Sequence, residues 1–74
     1  LINVRLPGGF DWRADSGIAA AQQRAEEALG ASGRVLLRPS GTEPLLRVMV
    51  EGRDAVLVEG LARDISEAVQ HAVA

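Results

Sequence analysis

The chain has no cysteine, no tyrosine and no lysine, and its aromatic content is one phenylalanine and one tryptophan in 74 residues. Without cysteine there is neither a disulfide framework nor a thiolate zinc site, so a domain this small relies on packing alone. That composition fits a reducing cytoplasm. A net charge of −2, with Phe10 and Trp12 as the sole stacking surfaces, argues against a nucleic-acid partner, which asks for a basic stripe and aromatic platforms. No apolar run approaches the roughly 18 residues of a membrane span, and LINVR at the start lacks the charged-then-apolar layout of a signal peptide, so no membrane partner is expected. The sequence starts without Met, directly in strand-like residues, and reads as a piece of a longer protein.

What is present makes one small domain, read over residues 1–74, with a thin core: a chain of this size buries only about 60% of its unfolded surface. In LINVRL, Ile2, Val4 and Leu6 alternate with Asn3 and Arg5, which predicts a strand with one apolar face. PGGFDWRAD ends it, and Phe10 and Trp12 are expected to fold back over a sheet edge as packing groups. From Ser16 to Leu29 the period changes. Ile18, Ala21, Ala25, Ala28 and Leu29 recur at three- and four-residue steps, predicting an amphipathic helix capped by Asp15 or Ser16 and ended by Gly30 or Gly33.

Two more strands are predicted at Arg34 to Arg38 and at Leu45 to Glu51, the second with Leu46, Val48 and Val50 on one face and Leu45, Arg47, Met49 and Glu51 on the other. In DAVLVEGLARDISEAVQHAVA, the residues Val58, Leu61, Ala62, Ile65, Ala68, Val69 and Ala72 form one helical stripe with Asp54 as cap. Gly60 in its interior costs about 1 kcal/mol relative to Ala, and is expected to let the helix approach the sheet closely. The order β-α-β-β-α predicts an α+β fold of two layers, a small mainly antiparallel sheet with two helices on one face. The other face would be wet or covered by another domain.

The join between the last two strands, RPSGTEP (38–44), holds the chemistry-bearing residues. A positive-φ Gly41 would let the N–H groups of Ser40, Gly41 and Thr42 converge on one anion, with the two hydroxyls as added donors. Arg38 and Arg47 offer planar forks, each charge-assisted hydrogen bond being worth roughly 1.5–3 kcal/mol. Pro39 and Pro44 stiffen the ends. This donor set suits a phosphate dianion better than a carboxylate. The plainer reading is a turn in which Ser and Thr cap backbone groups, with Arg47 paired to Glu43 or Glu51 on a solvent face. Residue types alone leave the two readings level. His71 lies in the last turn of a helix with no partner for base or ligand work, and the helix carboxylates lack metal spacing. No nucleophile–base pair is present, so no catalytic residue is assigned.

The string RPSGTEPLLRVMVEG, with LINVR before it and ALGASGRVLLR between them, resembles the C-terminal domain of the α-D-phosphohexomutases, and in SGTEP followed by RVMVE it is most similar to the bacterial phosphoglucosamine mutases. The resemblance runs the length of the chain. It implies a TATA-binding-protein-like fourth domain of a four-domain isomerase that interconverts glucosamine 6-phosphate and glucosamine 1-phosphate, on the route to UDP-N-acetylglucosamine and peptidoglycan. It implies further that Arg38, Ser40, Gly41, Thr42 and Arg47 hold the phosphate that is not being transferred. The phosphoserine, the Mg²⁺ loop and the sugar-reading loop would lie in other domains, with glucosamine 1,6-bisphosphate as the intermediate. The implied partners are a phosphosugar and the rest of the same chain, and the 74 residues alone are expected to be inactive. Two alternatives stand beside this: the equivalent domain of a phosphomannomutase or phosphoglucomutase, and a non-catalytic interaction module docking through its open sheet face.

Overall fold

The computed structural model describes residues 1–74. The elements follow in the order β1 (Ile2–Arg5), α1 (Ser16–Leu29), β2 (Arg34–Pro39), β3 (Leu45–Glu51) and α2 (Ala55–Val73), with single 3₁₀ turns at Trp12–Ala14 and Gly30–Ser32. The three strands form one antiparallel sheet in the order β1-β3-β2. Since β3 is antiparallel to both neighbours, β1 and β2 run the same way at the two edges, and α1 carries the chain from one edge to the other. The expected α+β two-layer architecture is the one found.

Periodicity decides which side is buried. Val4 and Leu6 of the first strand segment, Val35 of β2, and Leu46, Val48 and Val50 of β3 face a core that Ile18, Ala21, Ala25 and Leu29 of α1 and Ala62, Ile65 and Val69 of α2 complete. Leu46, Val48, Ile65 and Val69 are fully buried. Phe10 and Trp12 pack against this cluster, as expected of them, although Trp12 lines a shallow hollow with Ile18, Ala19 and Gln22 of α1, where the sequence suggested a sheet edge. The Arg13 guanidinium stacks 4.4 Å above the Trp12 ring.

Side chains at the helix starts take up the unpaired N–H groups there. The Asp15 carboxylate accepts from Ile18 N–H at 2.9 Å, and that of Asp54 accepts from Val56 and Leu57 N–H at 3.0 and 3.2 Å. Gly30 closes α1 at φ 56°, a left-handed conformation that side chains with a Cβ resist. Gly33 is needed for proximity, since a Cβ there would collide with the Glu51 carbonyl as β2 and β3 draw together.

Three expectations are corrected. Ala28 is exposed, at the margin of the α1 stripe in its last turn. Gly60 also faces solvent and a Cβ there would meet nothing, so it brings α2 no closer to the sheet. Pro39 belongs to β2 and not to the loop. Ser40 N–H donates inward to the Leu45 carbonyl at 2.9 Å, so alternation turns the Pro39 nitrogen to the free edge, where a missing donor costs no ladder bond.

Candidate functional site

The face of the sheet away from the helices carries Asn3 and Arg5 from β1, Arg34, Leu36 and Arg38 from β2, and Leu45, Arg47, Met49 and Glu51 from β3. Pairing register sets their order. Arg34 stands opposite Glu51 at one end, and Arg38 stands opposite Arg47 near the other, where residues 40–44 join the strands. Arg34 Nε donates to the Glu51 carboxylate at 2.8 Å. That hydrogen bond, then the Coulomb attraction behind it, holds Glu51 below the ordinary carboxylate range and Arg34 above its own. The linkage is thus present at neutral pH and is lost as pH falls through the lowered Glu51 value, and for two exposed groups it is small.

Arg38 and Arg47 have no such partner. The ion pairs of the molecule are Arg24–Asp64, Arg34–Glu51 and Arg63–Glu59, so the alternative pairing of Arg47 with Glu43 or Glu51 does not occur. Two guanidiniums directly opposite on neighbouring strands repel, and a like-charge pair in that position destabilises the sheet. An anion between them would turn that repulsion into two attractions.

The loop beside them is not the expected nest: it is the plainer arrangement, a turn in which the Ser40 hydroxyl caps backbone N–H groups. Gly41 is not among the positive-φ residues, which are Gly9 and Gly30, and Ser40 N–H is committed to the β2–β3 ladder. The groups that converge lie one residue further on. Thr42 N–H and Glu43 N–H both point at Ser40 Oγ, at 3.4 and 3.3 Å. A serine hydroxyl therefore stands where an oxyanion could accept two backbone hydrogen bonds, and the length of both bonds marks them as weak. Glu43 N–H was not among the expected donors because the direction of a backbone N–H is set by the dihedral angles of the turn and not by residue type. A Cβ at Gly41 would meet nothing within 4 Å, so the space in front of the loop is open. Pro44 ties the loop to the end of β1, its carbonyl accepting from Leu6 N–H at 2.7 Å.

Thus the fold brings Arg38, Ser40, Gly41, Thr42 and Arg47 to one end of one face. His71 is remote from them, near Asp15, Arg24, Asp64 and Glu67 between the helices. No three His, Asp or Glu side chains come together as a candidate metal site. The largest concavity, about 680 Å³, lies at the opposite end of the sheet, where the lining mixes apolar Val50 and Val58 with Arg53 and Arg63, whose charges Glu51 and Glu59 balance.

The family described as Phosphoglucomutase/phosphomannomutase, C-terminal domain, matches residues 1–68, a span that contains the whole loop and both arginines. The chain belongs to this family. Among relatives of this phosphohexomutase domain, the phosphoglucosamine mutase of Azoarcus sp. (strain BH72) is 72% identical over 74 residues, all of this chain and 16% of its own length. That of Aromatoleum aromaticum is 65% identical over 72 residues, 97% of the chain and 16% of the relative. That of Nitrosomonas europaea is 49% identical over 74 residues, again 16% of its length. The chain spans about a sixth of the curated relatives it matches. No helix is long and apolar enough to cross a membrane.

Proposed function

We propose that this chain is the phosphate-holding domain of a phosphoglucosamine mutase, with Arg38, Ser40, Gly41, Thr42 and Arg47 as its ligands for the non-reacting phosphate of glucosamine 6-phosphate or glucosamine 1-phosphate. The observation that carries the reading is the pair of unpaired, opposed guanidiniums beside two backbone N–H groups aimed at one point. On binding, a phosphate oxygen takes the place of Ser40 Oγ, and the freed hydroxyl donates to a second oxygen. Arg38 and Arg47 bracket the remaining charge, each through charge-assisted hydrogen bonds worth roughly 1.5–3 kcal/mol. The names of the relatives favour glucosamine over mannose or glucose as the sugar.

The chemistry itself belongs to the remainder of a full-length protein. A phosphoserine would exchange phosphate with the sugar by way of a bisphosphate, and Mg²⁺, bound there and not here, would supply charge to the transferring group. What this domain contributes is orientation: binding energy gained at a remote phosphate is used to hold the sugar in register with the reacting end. Recognising phosphate without reading its sugar carbon lets one loop serve both orientations of the intermediate. Titration of the 74-residue chain with inorganic phosphate, followed through backbone amide shifts, tests the site. The expected shifts fall at Ser40, Gly41, Thr42 and Glu43 and at Arg38 and Arg47. Amides there that stay still up to tens of millimolar phosphate would overturn the reading.

A further inference from the structure

We propose that Arg5 is a third guanidinium of this site, positioning the phosphate against the Ser40–Pro44 loop from the side of β1; the inference rests on that loop being a phosphate site. In sequence Arg5 is only the outward residue of an edge strand, far from the loop. Strand order changes its neighbourhood, because β1 pairs with β3 and not with β2. The register sets Arg5 opposite Leu45, the residue that follows the loop, and the Leu6 N–H to Pro44 carbonyl bond fixes it there.

Arg47 stands opposite both Asn3 and Arg38. Arg5 is therefore diagonal to Arg47, a separation of about 7–8 Å that long side chains span, and it lies two residues nearer the loop. One arginine from each strand thus borders the same end of the face. Arg5 is exposed and has no ion pair. It also lines a cleft of about 420 Å³ with Leu6, Pro7, Gly8, Pro44 and Val73, in which it is the sole ionisable side chain. The face has one carboxylate, Glu51, and that is bound to Arg34 at the far end.

Three uncompensated charges against one loop carrying a single acid, Glu43, fit a doubly charged phosphate monoester, whose three terminal oxygens can accept from more than two forks. A carboxylate monoanion would leave part of this charge unmatched. The chemical class of the ligand is accordingly a phosphate dianion, with Arg5 on the β1 side, Arg38 and Arg47 on the sheet, and the backbone N–H pair at the loop.

The test uses the full-length protein that carries this domain, with Arg5→Gln, Arg5→Lys, Arg38→Gln and Arg34→Gln variants. It measures kcat/KM for the phosphosugar, the inhibition constant of inorganic phosphate, and the melting temperature. Arg5→Gln is expected to weaken inorganic phosphate and lower kcat/KM about tenfold with the melting temperature unchanged, as loss of one charged hydrogen bond implies. Arg5→Lys should recover part of that loss by keeping the charge without the fork. Arg34→Gln, which removes the same charge at the far end of the face, should change neither kinetic quantity. If Arg5→Gln matches the parent while Arg38→Gln loses both, the role of Arg5 is overturned and the loop reading stands. Equal losses in Arg34→Gln, or a parallel drop in melting temperature, would overturn it in favour of bulk charge or folding. An Arg38→Gln variant without effect would overturn both.

Discussion

Gly41 leaves room for a methyl group that nothing in the 74 residues occupies. Its φ lies outside the left-handed region and a Cβ would meet no atom within 4 Å, whereas the same addition at Gly33 strikes the Glu51 carbonyl. A glycine that the fold does not need is in fact a cost to it, since Gly to Ala at a compatible position stabilises by about 0.4–1 kcal/mol through the unfolded chain. Gly41→Ala is therefore expected to melt at the same temperature or slightly higher, while its phosphate-induced amide shifts need more ligand. A lower melting temperature would show that the fold does use this glycine. The residue types of the site were legible: Arg, Ser, Gly and Thr in one polar join between apolar strands. The direction of each donor was not. Whether Ser40 N–H faces a ligand or the ladder depends on its partner across the sheet, and that partner, Leu45, follows from the register.

At the scale of elements, the helices were read well because a buried stripe writes itself into spacing. Ile65 and Val69 lie on the inner face of α2 and are fully buried, as their three- and four-residue steps require. Ser66, buried beside them, broke the apolar pattern and was not anticipated as core. It fits because its hydroxyl donates to the Ala62 carbonyl at 2.7 Å, four residues back. Gly60 misled for the opposite reason. Its small size suggested contact, but its angular position on α2 faces water. Gly60→Ala should then stabilise the domain by about 1 kcal/mol, seen as a rise of about 4–8 °C in melting temperature for a domain of this size. An unchanged or lower midpoint would imply a use for flexibility in α2.

For the whole molecule, charge is sorted by layer. A chain of net charge −2 sets Arg5, Arg34, Arg38 and Arg47 against one acid, Glu51, on the open sheet face, and Glu26, Glu27, Glu59, Asp64 and Glu67 against Arg24 and Arg63 on its helices. Neither composition nor total charge disclosed this polarity, because it arises only when three strands of the sequence are laid side by side. Exposed charges act through solvent and are screened within about 10 Å at 0.1 M salt. Phosphate affinity of the chain is accordingly expected to fall several-fold between low and near-physiological sodium chloride, and titrations at several salt concentrations would show it. An affinity indifferent to salt would point away from these arginines.

The sheet also has two ends with different duties. Residue 1 stands at the apolar end and the loop at the other, about 15 Å apart along the strands. The hydrogen-bonded sheet between them is a stiff lever, so a rotation applied at the apolar end is passed on to the loop. A swing of about ten degrees there carries the loop through about 3 Å, the length of one hydrogen bond. On the proposed reading, a rotation too small to disturb any contact in the core would be enough to make or release the grip on a phosphate.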